Sequence, residues 1–252
     1  MPGAIKRTLD DLGGLGLLAW DSARFSVRRP FGFALLVEQL YQIGVRSLSI
    51  TSIVALFTGL VISVQTAYSL AGYGGQVFIG DLVALSLVRE LGPVLTSLMV
   101  AGRVGAGITA ELGSMTVTEQ VDAIRALAAN PIKKLVIPRV LAAVIMLPLL
   151  VVLADMIGIF GGMIIASTEL SQSPHFYLRR VIGALSIADV ASSLIKSAFF
   201  AVIIVFISCY QGLSVRGGAA GVGAATTRTV VTASISILVS DFFITKFLLW
   251  AL

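Results

Sequence analysis

The sequence predicts an all-α integral membrane protein with five membrane-spanning helices, and three observations support this prediction. Of the 252 residues, 57% are hydrophobic and only 12% are charged, whereas soluble domains carry about 25% charged residues. Residues 47–80 and 197–215 contain no Asp, Glu, Lys or Arg, and residues 140–168 contain only Asp155. Because a bilayer helix needs about 20 apolar residues, each of these windows is long enough to span or nearly so.

The first predicted element is an amphipathic helix over about residues 8–29. Its apolar residues recur at near-helical spacing while its charged residues fall elsewhere, and Trp20 and Phe25 supply aromatic anchors. The segment is too polar to span, and its pattern is typical of a helix that lies in the membrane interface. A disordered basic tail is the alternative. No cleavable signal peptide is predicted, because Lys6 and Arg7 are followed by acidic residues rather than by an apolar run.

Five spans follow, separated by turn signals. Glycines mark turns at residues 72–75 and 216–223. Pro93 falls inside the second span and predicts a kink there. Together the elements form one domain over residues 1–252. The spans are predicted over about residues 43–70, 82–112, 138–167, 190–213 and 227–249.

Lysine and arginine are divided unevenly between the two ends of these spans. Placing the N-terminus in the cytoplasm gives that side most of the basic residues, as the positive-inside rule requires. This orientation puts the C-terminus outside and residues 116–127 in the cytoplasm. The opposite side then holds only Arg89, Arg179, Arg180, Lys196 and Lys246.

Residues 116–127 form a polar segment between spans 2 and 3. Thr116 with Glu119 three residues later matches a capping box and predicts the start of a helix. One face of this helix is apolar, and another carries a row of charges from Glu119 through Asp122 to Arg125. A two-faced helix suits docking into the groove of a soluble partner, where charges set the register. A helix resting on lipid headgroups fits the pattern equally well.

Arg103 is predicted to lie well inside span 2, where a charge costs at least about 2.5 kcal/mol. It therefore needs a partner or a water-filled cavity. Both an interhelical ion pair and a contact to an anionic ligand fit this requirement, and Gly102 and Gly105 beside it allow another helix to approach closely. Its candidate partners are Glu90, Glu111, Asp155 and Asp241.

Other polar residues also fall in apolar segments. Gln65 and Tyr68 on span 1 either line a cavity or satisfy each other. The acidic residues of the spans could form a proton relay or ion pairs. The lysines placed to neutralise them are Lys196, seven residues after Asp189, and Lys246, five residues after Asp241.

The sequence contains no pattern for chemistry of its own. It has no G-x-S-x-G or H-E-x-x-H motif, and its one histidine, His175, cannot form a metal site by itself. The glycine-rich residues 217–227 lack the lysine of a Walker A motif. We therefore expect no catalytic, metal or nucleotide site in this chain and no nucleic-acid partner, so that energy for transport comes from a partner or a gradient.

Three long segments resemble the MlaE/YrbE family of ABC-transporter permeases. They are RELGPVLTSLMVAGRVGAGITAELGSMTVTEQVDAIRAL from Arg89, PRVLA from Pro138 and CYQGLSVRGGAAGVGAATTRTVV from Cys209. The resemblance extends over about residues 30–249. It implies the fold inferred above, an interfacial helix plus five spans, with residues 116–127 as the cytoplasmic coupling helix.

The resemblance also implies partners and a function. The protein would be a homodimeric permease of a bacterial inner membrane, driven by a cytoplasmic ABC ATPase that binds ATP and Mg²⁺, so that this chain holds no cofactor. A small STAS-domain protein and a periplasmic ring of MCE-domain proteins would complete an assembly that moves phospholipids or related lipids between the inner and outer membranes and so maintains outer-membrane lipid asymmetry.

The resemblance assigns roles to two groups of residues. The ATPase contacts on the coupling helix would be Glu119, Gln120, Asp122 and Arg125. The lipid would lie at the dimer interface where spans 1, 2 and 5 meet, and the candidates for lining its cavity are Gln65, Tyr68, Arg103 and Glu111. Two alternatives stay open: a gradient-driven secondary transporter that uses the membrane arginine and aspartates, and a scaffold that only anchors a complex.

Overall fold

The computed structural model describes residues 13–18, 20–22, 24, 33–72 and 74–251. These residues are helical apart from short turns and contain no strand, which confirms the all-α prediction. Residues 13–18 and 20–22 are helical, and Leu15 and Leu18 pack against the main core. Much of the predicted interfacial helix over residues 8–29 lies outside the described residues, so the amphipathic helix stays a prediction.

Ten α-helices follow one another in the described residues from Phe33 onwards. They are α1 (Phe33–Ile43), α2 (Leu48–Ala71), α3 (Ile79–Ser86), α4 (Gly92–Val100), α5 (Ala106–Val117), α6 (Gln120–Ala126), α7 (Ile137–Thr168), α8 (Pro174–Ala184), α9 (Ile187–Leu213) and α10 (Gly218–Ala251).

These helices form five stretches that are long and apolar enough to cross a membrane, as predicted. All five stretches begin before the residue predicted for them, and the first three also run past the predicted end, because helical hydrogen bonding continues past the apolar residues that hydropathy detects. The predicted glycine-rich hairpin is correspondingly shorter, since α10 already begins at Gly218. The stretches are span 1 (Phe33–Ala71), span 2 (Gly75–Val117), span 3 (Ile132–Thr168), span 4 (Ile187–Leu213) and span 5 (Gly218–Leu248).

The bundle has two ends, which we name after the short helices that lie there. The α6 end carries α6, which follows span 2 and precedes span 3, and the α8 end carries α8, which joins spans 3 and 4. The sequence indicated only a polar connection where α8 lies. Ser173 begins α8 because its hydroxyl accepts a hydrogen bond from the Phe176 N–H.

Spans 1 and 3 pack with their backbones in direct contact. A Cβ atom at Gly59 would collide with the Gly158 carbonyl, and the Ser63 hydroxyl donates to the Gly162 carbonyl at 3.1 Å. Gly158 and Gly162, which are four residues apart on span 3, thus form a packing surface between helices within one chain. Such close contact lets dispersion forces stabilise helices that have no hydrophobic driving force in lipid.

Helix α8 is fastened to the bundle by Tyr177 and Arg180. The Tyr177 side chain is fully buried next to Gly162, and burial raises the pKa of its phenol, so it stays neutral. Arg180 forms an ion pair with Asp81, and its guanidinium lies 4.7 Å from the centre of the Phe78 ring. These contacts hold α8 against the beginning of span 2.

The main core lies between spans 2, 3 and 4, whereas spans 1 and 5 are the most exposed. The core includes Leu112, Leu147 and Phe200, which are fully or almost fully buried. Span 5 buries Ala233 and Ile237 on one face. Large apolar side chains cover its other face and face outward, as in a membrane helix that touches lipid or a second protein. The largest of these exposures are at Ile235, Phe242, Phe243 and Phe247.

Spans 1 and 2 contain breaks in regular α-helix, and span 3 begins with a π-helical turn, Ile132–Val136. Span 1 bends at an elbow around Gly44, where a short 3₁₀ turn, Val45–Ser47, joins α1 to α2. Span 2 contains two π-helical turns, Leu87–Leu91 and Ala101–Gly105. The first π turn immediately precedes Pro93, where the sequence predicts a kink. A π turn leaves backbone groups without their usual partners, and such turns are frequent at functional sites.

Candidate functional site

Lys196 is the centre of a buried cluster of charges between spans 2, 4 and 5. Its side chain is only 2% exposed. The Nζ atom donates to Glu90 Oε2 at 2.7 Å and lies 3.2 Å from Asp241 Oδ1. Because a buried charge is tolerated only when it is paired and hydrogen-bonded, these two carboxylates explain how an ammonium group can lie among membrane helices.

The third acceptor for Lys196 is a backbone carbonyl that Pro93 leaves free. In an α-helix the N–H of residue 93 would bond to the carbonyl of Arg89, but proline has no N–H. Lys196 Nζ donates to this carbonyl oxygen at 2.8 Å. The lysine therefore satisfies both the charge of Glu90 and the backbone of the first π turn.

The Arg89 side chain is held by span 4. Its Nε donates to Asp189 Oδ1 at 2.6 Å. The other carboxylate oxygen of Asp189 accepts from the Ser186 N–H and hydroxyl, which completes a capping box at the start of span 4. Since 48% of the Arg89 side chain is exposed and a guanidinium has five N–H donors, Arg89 can donate to a further ligand.

A cavity of about 210 Å³ opens beside this cluster at the α8 end. Both signs of charge reach it, because the Glu90 side chain is 42% exposed and the Arg89 guanidinium is half exposed. Its lining includes Arg89, Glu90, Asp189, Lys196, Thr245 and Leu248. The volume suits a headgroup rather than a whole lipid, since pockets for drug-sized ligands hold about 300–1,000 Å³.

The four residues predicted to line a lipid cavity do not form one cluster within this chain. Gln65 is exposed, and Tyr68 is 86% exposed, on the outward face of span 1. Arg103 contacts span 1 instead, and Glu111 forms a 2.7 Å ion pair with the buried Arg139 of span 3. None of the four lines the cavity beside Lys196, so their predicted role would need a surface outside the single chain.

The predicted ion pair of Arg103 is wrong for all four candidate partners. Its Nη1 donates to the Ser47 hydroxyl at 2.8 Å and to the Gln42 carbonyl at 3.4 Å. Both partners belong to the elbow of span 1. Arg103 therefore satisfies backbone and hydroxyl groups at a break in a neighbouring helix.

Three of the four candidate partners of Arg103 are paired with other cations. Glu90 and Asp241 bind Lys196, so the prediction that Lys196 neutralises Asp189 is also wrong. Asp155 is buried in span 3 with Ser193 of span 4 beside it. One Asp155 oxygen occupies the space that a Cβ atom at Gly92 would need.

The predicted coupling helix is shorter than its sequence pattern indicates. Thr116 belongs to α5, where its hydroxyl donates to the Leu112 carbonyl at 2.8 Å, so the predicted capping box does not form. The chain turns at Glu119, which has a left-handed backbone with φ of 60°, and α6 begins at Gln120. The favourable contacts of α5 with the core outweigh the local capping preference.

The four residues predicted to meet an ATPase lie at the turn before this short helix and along the helix, and all four are exposed. Asp122 and Arg125 form a 2.8 Å ion pair on its surface. Val121 is 3% exposed and fastens α6 to the bundle. The helix thus presents Glu119, Gln120, Asp122 and Arg125 to the surroundings at the α6 end.

Sequence reasoning missed the assembly of Arg89, Glu90 and Lys196. A signal was present, because Lys196 stands alone between long apolar stretches and Pro93 lies four residues after Arg89. Neither signal indicates which residues on other helices would bind Lys196. The pairing needs the three-dimensional arrangement of spans 2, 4 and 5.

Comparison with known proteins links the chain to one family. Residues 36–247 match the model of the family described as Permease MlaE. The chain is 43% identical over 244 residues to a probable ABC transporter permease protein of Rickettsia felis, covering 96% of this chain and 94% of that relative. It is 44% identical over 208 residues to a probable ABC transporter permease protein of a Synechocystis species, covering 82% and 79%.

A third relative carries a more specific description. The chain is 38% identical over 220 residues to the intermembrane phospholipid transport system permease protein MlaE of Haemophilus influenzae. The match covers 87% of this chain and 84% of that protein. The residues that match the family model, 36–247, include the whole charged cluster around Lys196.

Proposed function

Because the chain belongs to the MlaE permease family, we propose that it is the membrane subunit of an ABC transporter that moves phospholipids between the inner and outer membranes of a bacterium. A separate ATPase would bind ATP with Mg²⁺ and drive the transport. The description of the Haemophilus relative as a phospholipid transport permease supports this proposal. The five apolar spans support a multi-pass protein, for which the proposal gives the inner membrane as the location.

The observation that carries the proposal is the charged cavity beside Lys196. A zwitterionic phospholipid headgroup has a phosphate and an ammonium, and the cavity offers Arg89 for the first and Glu90 for the second. The acyl chains would lie against the exposed apolar faces of spans 1 and 5. A polar pocket next to apolar surface is the arrangement that an amphipathic cargo requires.

Two copies of the chain would complete the lipid path. Gly102, Gly107 and Gly223 have open space where a Cβ atom would point, so a second helix can approach spans 2 and 5 closely at these positions. A homodimer formed there would bring spans 1, 2 and 5 of both copies around the lipid. Gln65 and Tyr68, which are exposed on span 1, would then line the shared cavity.

The α6 end is the proposed ATPase docking surface and faces the cytoplasm in this proposal. The exposed charges of α6 would enter a groove of the ATPase and Glu119 would lie at the turn that joins α6 to α5. The N-terminus would lie on the same side, where a STAS-domain protein could join the assembly. The α8 end and the C-terminus would face the periplasm and its ring of MCE-domain proteins.

The mechanism couples α6 to the cavity through span 2. Movement of the ATPase would displace α6 and, through Glu119, the adjoining α5. The two π turns let the middle of span 2 shift while the helices at its ends stay intact, because the backbone hydrogen bonds of a π turn can change register. A shift of the first turn would move Glu90 relative to Lys196 and so open or close the headgroup cavity, which provides the two-state element that coupling requires.

The cavity is tested with the protein reconstituted in vesicles together with its partner ATPase. In Arg89→Gln and Glu90→Gln variants we expect lipid-stimulated ATP hydrolysis and transfer of a fluorescent phospholipid to fall about tenfold or more, since a lost charged hydrogen bond costs about 1.5–3 kcal/mol. Arg179→Gln, an exposed change at the same end, is the matched control. Lipid transfer without the ATPase under a proton gradient would instead support a secondary transporter.

The docking surface is tested by reversing its charges. Glu119→Lys with Asp122→Lys should abolish lipid stimulation of the ATPase while membrane insertion stays normal. The two native carboxylates would select how α6 docks in the groove of the ATPase, and lysines in their place would be repelled by the same groove. Glu169→Lys reverses an exposed charge at the opposite end and should leave stimulation intact. Full stimulation in the double variant would rule out this docking surface.

A further inference from the structure

The elbow of span 1 brings two arginines to one glutamine. Arg46 Nη1 donates to the side-chain oxygen of Gln42 at 2.7 Å. Arg103 Nη1, which comes from span 2, donates to the backbone oxygen of the same residue at 3.4 Å and to the Ser47 hydroxyl at 2.8 Å. Both guanidinium groups therefore bond to Gln42.

These two arginines differ from four arginines of the bundle that form ion pairs. Arg89, Arg125, Arg139 and Arg180 each have a carboxylate partner. Neither Arg46 nor Arg103 forms an ion pair with any residue that the structure describes. Each guanidinium uses only one nitrogen for the contacts above, so most of its five N–H donors are free for another acceptor.

The elbow lies at the depth of a lipid headgroup. Helix α2 begins at Leu48 and has 24 residues, so it is about 36 Å long and crosses the roughly 30 Å hydrocarbon layer with little to spare. From Ile79 to Arg103, span 2 covers about the same length. Tyr41, which is 54% exposed, sits next to the elbow, and tyrosine is enriched at this depth.

We propose that the elbow binds the phosphate of a phospholipid from the leaflet at the α6 end, with a preference for an anionic headgroup. Two guanidinium groups without carboxylate partners attract a negative ligand, and their planar geometry matches that of phosphate oxygens. An anionic lipid supplies a net negative charge, whereas the choline of phosphatidylcholine offsets its phosphate. The site is separate from the cavity beside Lys196 and would hold the elbow in place rather than carry cargo.

The site is tested by lipid retention in the full-length protein. The protein is reconstituted with equal amounts of phosphatidylglycerol and phosphatidylcholine, extracted gently, and the bound lipids are counted by native mass spectrometry. Wild type should retain phosphatidylglycerol in preference, and Arg46→Gln with Arg103→Gln should lower that preference about tenfold, because each basic residue near a membrane surface contributes a several-fold gain for anionic lipid.

Three comparisons make the test decisive. Arg216→Gln with Arg228→Gln removes two exposed arginines at the same end and should keep the preference. Arg46→Gln alone loses only one exposed hydrogen bond and should lower the preference severalfold. This single variant shows the effect in a folded protein even if the double variant misfolds. Arg89→Gln should keep the preference while impairing transport, which separates this site from the proposed transport cavity.

Two results would overturn the proposal. One is a phosphatidylglycerol preference that is unchanged when both Arg46 and Arg103 are replaced. The other is displacement of the bound lipid by inorganic phosphate at concentrations equal to those of added phosphatidylglycerol, since a free phosphate would then be the ligand. Displacement by phosphatidylglycerol alone supports a lipid site.

Discussion

The two π-helical turns of span 2 have the same length and opposite surroundings. The first, Leu87–Leu91, places Glu90 against a buried lysine and Arg89 against an aspartate. The second, Ala101–Gly105, places Arg103 against a hydroxyl and a carbonyl of span 1. One helix thus carries a turn whose charges are neutralised inside the bundle and a turn whose charge is not.

The glycines of the two turns show the same contrast. Gly92, which follows the first turn, has no room for a Cβ atom because Asp155 occupies that space. Gly102, in the second turn, has nothing within 4 Å in that direction. The chain itself therefore closes the space at Gly92, whereas the second turn is open at Gly102 although its Gly105 packs against Ser208 of span 4. A π turn alone does not identify which of these two situations applies.

The largest expected loss of stability comes from removing the ion pairs of the first π turn. Lys196→Met would leave the Glu90 and Asp241 carboxylates without their shared cation, and removing one partner from a buried ion pair costs about 3–5 kcal/mol. Arg103→Met removes only hydrogen bonds to neutral groups and should cost clearly less. The free energy of unfolding of each variant is measured by denaturant titration in detergent micelles, with Lys246→Met, an exposed lysine in span 5, as the control. Equal losses for Lys196→Met and Arg103→Met would remove the contrast.

A smaller effect compares the two glycines. Gly92→Ala forces a methyl group against Asp155, and overpacking of this kind costs about 1–3 kcal/mol. Gly102→Ala adds the same methyl group to open space and should change the stability of a single chain by no more than about 0.5 kcal/mol. Thermal unfolding of the two variants, compared side by side in the same detergent, measures the difference. A Gly102→Ala variant that is as unstable as Gly92→Ala would mean that both turns are closed.

The smallest effect sharpens the description of the second turn. Ser47→Ala removes the hydroxyl that accepts from Arg103 at 2.8 Å and donates to the Ile43 carbonyl at 2.6 Å, and the loss of the Arg103 bond should lower the stability by about 1 kcal/mol more than the loss of a bond within one helix. Ser69→Ala is the matched control, because its exposed hydroxyl bonds only to the Gln65 carbonyl of its own helix. If the two serine variants were equally stable, the contact between Arg103 and the elbow would contribute nothing to the fold.

Much of the fold could be predicted because it depends on local composition. Five apolar stretches, the turns between them and the packing face at Gly158 and Gly162 are all visible in the sequence. The error at Thr116 shows the limit of local signals. Its capping box is a genuine preference, but Thr116 continues α5 instead, where contacts with the core and a bond to Leu112 stabilise the helix.

The candidate site was less predictable because ion pairs between helices depend on rotation and depth. Lys196 could be recognised as a charge that needs a partner, and the sequence offered Asp189 seven residues away. The structure instead pairs it with residues about a hundred positions before it and forty-five positions after it. Nothing in a spacing rule along one helix can select partners on two others.

The sequence by itself determined that this protein lies in lipid rather than in water, how many spans it has, and where one polar helix lies between two of them. These follow from the free energy of placing each side chain in lipid or water, which is a property of the residues alone. Only the tertiary structure decided that Lys196 closes the gap left by Pro93, that Arg103 reaches the elbow of span 1, and that Gly92 is sealed while Gly102 is open. Those outcomes depend on distances of a few ångströms between helices that are far apart in the chain, because hydrogen bonds and ion pairs between buried groups form only at contact.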